Sequence, residues 1–247
     1  MDVPHLTDED RRRYHRQMLL PEWGEKAQER LAAATVFVAG AGGLGSPVAL
    51  YLAAAGVGTL RICDSGKVEL SNLNRQILYG QADIGRAKPA SAVDSLKRLN
   101  PRPQLVPLTE TITRENVDRL VGSASLIVDC LDNFDTRFVI NEFALRSGIP
   151  FVHAGVQGLC GQIGFFNPPK TACLACLIAE APAAATFPII GATAGLLGCL
   201  EALEALKYLT STGELLQGRL LFCDGASMDF QEIFLERDPS CPVCGGK

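Results

Sequence analysis

The chain has 247 residues, of which 47% are hydrophobic and 20% charged, a profile typical of a globular protein rather than a disordered or fibrous one. Its 23 lysines and arginines against 27 aspartates and glutamates give a formal charge of −4, which excludes binding to nucleic acid or an anionic membrane through overall charge. We therefore expect neither a nucleic-acid partner nor a membrane.

The longest uncharged stretch, Ala181 to Leu200, is long enough to span a bilayer. Its two prolines and many small residues instead favour a loop followed by a buried helix. The charged segment Met1 to Gln17 lacks the apolar core of a signal peptide. The expected location is therefore the cytoplasm, where the nine cysteines serve as thiols or metal ligands rather than disulfides.

The predicted elements begin with an apolar, β-branched run at Thr35 to Ala39, followed by a glycine-rich turn and an alanine-rich segment to about Ala55. This order predicts a strand, a tight turn and a helix, and a second strand at Thr59 to Cys63 completes a βαβ unit with a parallel sheet. Further helices are predicted at 87–100, 135–147 and 191–210, and further strands at 104–108, 125–128, 151–156, 161–166, 219–223 and 230–235. The last two strands are expected to form an antiparallel pair.

The glycine-rich turn fits the G-x-G-x-x-G pattern at Gly40, Gly42 and Gly45, and Asp64 follows the second strand about twenty positions later. Glycines let backbone N–H groups approach a phosphate at a helix N-terminus, and Asp64 is placed to accept hydrogen bonds from ribose hydroxyls. The turn alone does not separate NAD from ATP, and a turn without a ligand remains an alternative.

The segment after Asp64 contains a polar cluster at Ser71 to Gln76, and Lys88 lies at the start of the next helix. A dinucleotide site needs no such cluster, whereas Asn72, Arg75 and Lys88 offer the donors and cations that a triphosphate requires. The alternative is that Arg75 and Lys88 are solvated surface charges.

A later predicted strand ends in Asp129-Cys-Leu-Asp132-Asn133, at the edge where open parallel sheets bind ligands. The Asp132 carboxylate suits magnesium, which prefers oxygen ligands. Alternatively, Asp132 only caps the following helix. Together these motifs predict one α/β domain over residues 1–247, built on a Rossmann-like mixed, largely parallel sheet flanked by helices, with a nucleotide-binding half at about 30–150.

Two Cys-x-x-Cys pairs, Cys173 with Cys176 and Cys241 with Cys244, supply a complete tetrahedral shell for structural zinc. Such a closed shell would staple the C-terminal antiparallel extension to the body of the protein; four free thiols or two redox pairs are the alternatives. The other cysteines are predicted to be small core residues, at positions Cys63, Cys130, Cys160, Cys199 and Cys223. The three scattered histidines, including His153, are assigned no role.

These motifs, together with Arg13-Tyr-His-Arg-Gln17, resemble the MoeB/ThiF/HesA family, the bacterial relatives of ubiquitin-activating enzymes, from about Asp8 to Cys244. The resemblance implies an enzyme that uses ATP and magnesium to adenylate the C-terminal glycine of a small ubiquitin-like sulfur carrier ending in Gly-Gly, with release of pyrophosphate. It also implies that the half at about 151–247 binds the carrier and the zinc.

The family's roles transfer to matching residues. The resemblance implies a cofactor-binding set of Gly40, Gly42, Gly43, Asp64, Ser71, Asn72, Arg75, Lys88, Asp132 and Asn133, and a catalytic set of Arg16, Arg75, Lys88 and Asp132. Arg16 is similar to a family arginine that reaches into the partner subunit's site, which implies a homodimer with composite sites. From the residues alone, Arg11 to Arg16 is an exposed basic run that could bind a polyanion.

One departure from the family concerns a cysteine that many relatives carry before the long helix. The interval Leu177 to Ile190 contains none, so we predict an enzyme that stops at the acyl adenylate and relies on a separate sulfur-donor protein. The competing hypotheses are an NAD-dependent oxidoreductase, a non-catalytic nucleotide-binding scaffold, and an enzyme that modifies a peptide. The sequence does not distinguish molybdopterin, thiamine, cysteine, siderophore or transfer-RNA sulfur pathways.

Overall fold

The computed structural model describes residues 5–178 and 187–245. Its helices are α1 (Asp8–Arg13), α2 (His15–Met18), α3 (Gly24–Ala33), α4 (Gly45–Ala55), α5 (Lys88–Leu99), α6 (Val117–Val121), α7 (Phe134–Ser147), α8 (Leu174–Leu177) and α9 (Gly191–Thr210), with 3-10 turns at Leu70–Asn72 and Gln81–Asp83. Its strands are β1 (Thr35–Ala39), β2 (Thr59–Cys63), β3 (Gln104–Leu108), β4 (Leu126–Asp129), β5 (Phe151–Gln157), β6 (Cys160–Phe166), β7 (Arg219–Asp224) and β8 (Asp229–Phe234).

The described strands form one eight-stranded sheet in the order β3-β2-β1-β4-β5-β6-β7-β8. The first five strands in this order, β3, β2, β1, β4 and β5, are parallel to one another. Strands β6, β7 and β8 continue the sheet, and each is antiparallel to the strand before it. This confirms the predicted mixed, largely parallel sheet with an antiparallel C-terminal extension. Strands β1, β2 and β3 and helix α9 have the predicted bounds, and the other predicted elements agree to within one or two residues.

Helices pack on both faces of the sheet around β1, whereas every residue of β8 is exposed. Val36 and Val38 of β1 face a core shared with α3, α4, α5 and α9, whereas Phe37 and Ala39 face a second core shared with α6 and α7. A strand buried on both faces is apolar at every position, which explains why β1 reads as a continuous run rather than an alternating one.

The charged N-terminal segment is helical, which the sequence analysis missed. Helix α1 begins with a capping box, in which Thr7 Oγ1 accepts a hydrogen bond from Asp10 N at 3.2 Å and Asp10 Oδ2 accepts one from Thr7 N at 2.9 Å. Arg102 Nε also donates to Asp10 Oδ1 at 2.7 Å. The capping pattern was readable in the sequence, but the docking on Arg102 required the fold.

None of the helices in the described ranges is long and apolar enough to cross a membrane. Within the uncharged stretch from Ala181, residues 181–186 lie outside the described residues, and the remainder enters α9, whose Thr193 and Leu197 are buried as predicted. Among the five cysteines predicted for the core, Cys63, Cys130 and Cys223 are buried; Cys160 and Cys199 are partly exposed, so the prediction is wrong for these two.

Candidate nucleotide site at the sheet edge

A cavity of about 900 Å³ opens at the carboxyl ends of β1 and β4. These two strands are neighbours, and the chain leaves β1 towards β2 on the far side, so they mark the switch point where open α/β sheets bind ligands. Eight predicted residues line it, namely Gly40, Gly42, Gly43, Asp64, Arg75, Lys88, Asp132 and Asn133. The cavity continues over β5 and β6, where Gly155, Gln157 and Gln162 form its wall.

The glycine turn is shaped by contacts that leave no room for side chains. Gly40 has a φ of +96°, and a Cβ atom there would lie 2.7 Å from the Cys130 carbonyl oxygen. A Cβ at Gly45 would lie 2.1 Å from the Gly40 oxygen. Asp64 secures the turn, since its two oxygens accept hydrogen bonds from Ala41 N at 2.9 Å and Gly66 N at 2.7 Å. Each carboxylate oxygen retains a lone pair for a further donor.

We expect Gly45→Ala to unfold the turn, because its Cβ cannot coexist with the Gly40 carbonyl. Overpacking of this kind costs about 1–3 kcal/mol or more. The melting temperature should fall. Gly42→Ala is the matched control, since the nearest atom to its Cβ is a flexible Gln76 nitrogen at 3.7 Å; equal melting temperatures for the two variants would contradict this account.

Two cationic side chains reach the cavity from different segments. Arg75 lies against Gly43 and donates from Nη1 to Ser71 O at 2.9 Å and to Asn74 Oδ1 at 3.0 Å. Lys88 begins α5, and its ammonium makes no hydrogen bond or ion pair with the described residues. The Lys88 charge is therefore available to an anion in the cavity.

The carboxylate of Asp132 is exposed at the cavity and has no hydrogen-bond partner within residues 5–178 and 187–245. The N-cap of α7 is Asn133, whose Oδ1 accepts from Thr136 N at 2.9 Å. The alternative that Asp132 caps the helix is therefore wrong, because its neighbour does so. Asp132 is left free to bind a cation.

Three predicted site residues do not line this cavity. Asn72 is buried and its Oδ1 accepts from Glu69 N at 3.1 Å, so it shapes the 3-10 turn that precedes Arg75. Ser71 is exposed beside it. Arg16, on α2, is also exposed and lies away from the cavity lining of its own chain.

The predicted basic run at the N-terminus is partly neutralised. Arg11 Nε lies 2.9 Å from Glu25 Oε1, and Arg13 Nη2 lies 3.5 Å from Glu9 Oε1. In the described part of the chain, Arg12 and Arg16 form no ion pair. The structure thus leaves half of the run uncompensated, which weakens the case for a polyanion-binding segment.

A buried polar cluster lies beneath Asp132, and the sequence analysis missed it. His153 Nδ1 is 2.7 Å from Asp129 Oδ2, and both side chains are fully buried. Arg137 donates from Nη2 to Ala154 O at 2.8 Å and to Leu131 O. Burial opposes ionisation of Asp129, but the Arg137 charge and the hydrogen bond with His153 hold the pKa of Asp129 below its ordinary value. The cluster therefore anchors the backbone that carries Asp132.

Glu201 of α9 is fully buried, with its Oε2 3.7 Å from Cys130 Sγ. Burial, with the nearby Asp129 charge, raises the pKa of Glu201 well above its ordinary value of 4.5. The folded protein therefore holds this carboxyl in its neutral form, whereas the unfolded chain ionises it above about pH 4.5.

We expect Glu201→Gln to stabilise the protein increasingly as the pH rises. The wild type loses roughly 1 kcal/mol of stability for each pH unit between the unfolded and the raised folded pKa of Glu201, and glutamine has no proton to lose. Denaturant unfolding between about pH 5 and 8 measures the difference. A difference that stays constant with pH would show that Glu201 is ionised in the folded state.

Helix α9 supports the site from beneath through its small residues. A Cβ at Gly198 would lie 2.5 Å from the Leu44 oxygen, and one at Gly191 would lie 2.4 Å from the Asn74 oxygen. A Cβ at Gly43 would lie 3.3 Å from Ala194 Cβ. The glycine turn and the segment before Arg75 therefore both rest on a helix from the C-terminal half.

The four paired cysteines come together as predicted. Their Sγ atoms all lie within 4.8 Å of one another, with Cys173 to Cys241 at 3.7 Å and Cys176 to Cys244 at 3.4 Å. Four sulfurs bound tetrahedrally to zinc at about 2.3 Å are about 3.8 Å apart, so the donor set fits a Cys₄ zinc site. Such a site would hold the C-terminal tail against α7 and α8.

The strand order and the cavity at its switch point define the class, which is a Rossmann-type α/β protein with a ligand site at the carboxyl edge of the sheet. The model of the ThiF family matches residues 14–243. The chain belongs to the ThiF family, which confirms the resemblance drawn from its motifs.

Relatives of known name agree. Protein HesA of the heterocyst from Trichormus variabilis is 41% identical over 243 residues, covering 98% of this chain and 91% of that protein. A sulfur carrier protein adenylyltransferase from Thermus thermophilus is 39% identical over 250 residues, covering 97% of this chain and 92% of that one. The crystal structure of E. coli MccB with ATP has the same fold, with a TM-score of 0.85 and 23% identity over 98% of this chain and 76% of that chain. The name of the Thermus thermophilus relative favours an adenylyltransferase over an oxidoreductase.

Proposed function

We propose that this protein is an ATP- and magnesium-dependent adenylyltransferase that acts on the C-terminal glycine of a ubiquitin-like sulfur carrier and releases pyrophosphate. The observation that carries the proposal is the set of groups at one cavity: Lys88 and Asp132, which have no partner among the described residues, and Arg75 beside the glycine turn. The name of the Thermus thermophilus relative supports the same reaction and the same class of substrate.

The chemistry depends on charge and alignment. A glycine carboxylate is repelled by a polyanion, so Lys88 and Arg75 are proposed to neutralise the phosphates while the backbone at Gly40, Gly42 and Gly43 binds them. Magnesium held by Asp132 would neutralise further phosphate charge when bound. Asp64 is assigned to the ribose, and Asn133 and Ser71 border the site. Asn72 contributes by shaping the turn before Arg75.

We extend the proposal to a homodimer in which Arg16 completes the partner subunit's site. Leu19 and Leu20 beside it are 61% and 52% exposed, which supports burial of this face by another subunit. Light scattering would give the mass. Arg16→Ala and Lys88→Ala variants, each inactive alone, should regain activity when mixed; a monomer, or no regain on mixing, would contradict the shared site.

The proposed reaction stops at the acyl adenylate, and a separate protein delivers sulfur. The interval Leu177 to Ile190 has no cysteine, although residues 179–186 of it lie outside the described residues. Trapping a thioester between the carrier and any cysteine, followed by mass spectrometry, tests this: a mapped thioester would contradict it.

We further propose that one domain, in the cytoplasm, combines a nucleotide-binding half at about 30–150 with a carrier-binding and zinc half at about 151–247. The continuous sheet and the support that α9 gives to the glycine turn favour a single unit. The pathway is proposed to be one of sulfur-containing cofactor synthesis, such as molybdopterin or thiamine.

The test of the function is pyrophosphate exchange into ATP with a panel of purified MoaD- and ThiS-like carriers. Exchange with at least one carrier is expected, and its loss in a folded Asp132→Ala variant would tie the reaction to this cavity. Absence of exchange with every carrier would favour the non-catalytic scaffold.

A further inference from the structure

Arg137 is buried, with only 5% of its surface exposed, yet it lines the cavity. Its Nη2 is committed to the carbonyls of Leu131 and Ala154, and its Nε lies 3.6 Å from Asp129 Oδ2. Its Nη1 makes no hydrogen bond to any described residue. In the described part of the chain, the buried Arg137 donor without a hydrogen bond is Nε. Nη1 is therefore the guanidinium donor that stays accessible to a ligand in the cavity.

Gly155 leaves open the space in front of this donor. A Cβ at Gly155 would lie 3.7 Å from Arg137 Nη1 and 3.8 Å from Gln162 Nε2, and the Gln162 amide likewise has no hydrogen-bond partner in the described ranges. Gly155 and Gln162 are opposite each other in the β5–β6 ladder. Two donors thus flank a gap on the sheet, and we call this gap the tail subsite.

The charges around the tail subsite do not repel an anion. Burial holds Glu201 neutral, and within the described residues the one ionised acid paired with the Arg137 guanidinium is Asp129, whose charge balances that of the arginine without exceeding it. The subsite lies in the part of the cavity over β5 and β6, whereas Arg75 and Lys88 approach from the segments that follow β2. The Arg137 and Gln162 donors therefore approach the cavity from other elements than the cations assigned to the phosphates.

We propose that Arg137 Nη1, assisted by the Gln162 amide, binds the C-terminal glycine carboxylate of the carrier in the tail subsite. This inference rests on the proposed function and adds a substrate-binding residue to it. The donors hold the carboxylate at a fixed position relative to the nucleotide. An arginine also discriminates a carboxylate from a neutral carboxamide, because its charged hydrogen bonds strengthen with an anionic acceptor.

The test measures carrier binding by calorimetry in the presence of a non-hydrolysable ATP analogue. The probes are a carrier that supports exchange and the same carrier ending in glycinamide. The wild type is expected to bind the carboxylate form about ten- to a hundredfold more tightly. In Arg137→Gln the ratio should fall to near one while the Kd for ATP stays unchanged. The control is Arg146→Gln. Arg146 is an exposed arginine on the same helix as Arg137 and pairs with Asp118 of α6, so this variant should keep the wild-type ratio.

A ratio that survives in folded Arg137→Gln, or a loss of ATP affinity in its place, would overturn the inference. If that variant does not fold, Gly155→Ala decides, because its methyl would make ordinary contacts and would occupy the tail subsite. It should weaken binding of the carboxylate form and leave ATP binding and the melting temperature unchanged; carrier binding equal to that of the wild type would overturn the inference. Failure of every carrier to support exchange by the wild type would instead contradict the proposed function.

Discussion

Lys88→Ala should lower the rate of carrier-dependent pyrophosphate exchange by about a hundred- to a thousandfold. The reason is that Lys88 lines the cavity and its ammonium has no partner among the described residues, so under the proposed function its charge is available to the phosphates. Loss of one preorganised donor at a developing charge costs about 2.7–4 kcal/mol of transition-state stabilisation, which corresponds to that factor.

The matched control is Lys97→Ala, because Lys97 is an exposed lysine in the last turn of the same helix and away from the cavity. It should exchange at the wild-type rate. Circular dichroism of both variants would check that α5 remains folded. Equal rates for the two variants would mean that Lys88 is an ordinary surface charge and would remove the main support for the phosphate site.

Cys244→Ser should abolish stoichiometric zinc binding and lower the free energy of unfolding by several kcal/mol. A structural zinc site contributes roughly 10–16 kcal/mol of apparent binding free energy, and three thiolates retain only part of it. Cys244 is fully buried and, together with Cys241, brings the tail to Cys173. Removal of the metal by a chelator should act in the same direction.

Zinc content by mass spectrometry, denaturant unfolding and limited proteolysis of the tail would measure these effects. The control is Cys199→Ser, because Cys199 is a partly exposed cysteine outside the cluster. The Cys199→Ser protein should retain its zinc. A wild-type protein that is purified without zinc and does not gain stability when zinc is added would favour the alternatives of free thiols or redox pairs.

The central part of the fold could be predicted because local and global signals agree there. The β1 run is apolar from Val36 to Ala39, and a Cβ at Gly40 or Gly45 would lie 2.7 Å or 2.1 Å from a backbone carbonyl oxygen. The tetracysteine cluster was predictable for a similar reason: cysteine pairs have few uses in a reducing compartment, so spacing alone limits the interpretation.

The rest depended on contacts that no local pattern records. His153 and Arg137 are twenty-four and eight positions from Asp129. The pairing of β4 with β5 brings His153 to Asp129, and helix α7, which connects these two strands, brings Arg137 to the same carboxylate. The polar cluster from Ser71 was predicted to face the phosphates as a whole. Asn72 instead turns inwards, because its amide satisfies the backbone of the 3-10 turn. The polar character of these residues predicted that they lie near the cavity, but it did not predict which of their side chains face it.

The seating of the glycine turn on α9 bears on how the protein can be divided. The carbonyl groups of Asn74 and Leu44 pack against Gly191 and Gly198 of α9. The two loops that are assigned to the phosphates therefore contact a helix that lies more than a hundred residues later in the chain. A fragment ending near residue 150 would keep every residue of this chain that is assigned to the phosphates. It would lack α9, against which two of the loops that carry these residues pack. If residues 1–150 are transferred into another enzyme without α9, the two loops should therefore not keep their conformation.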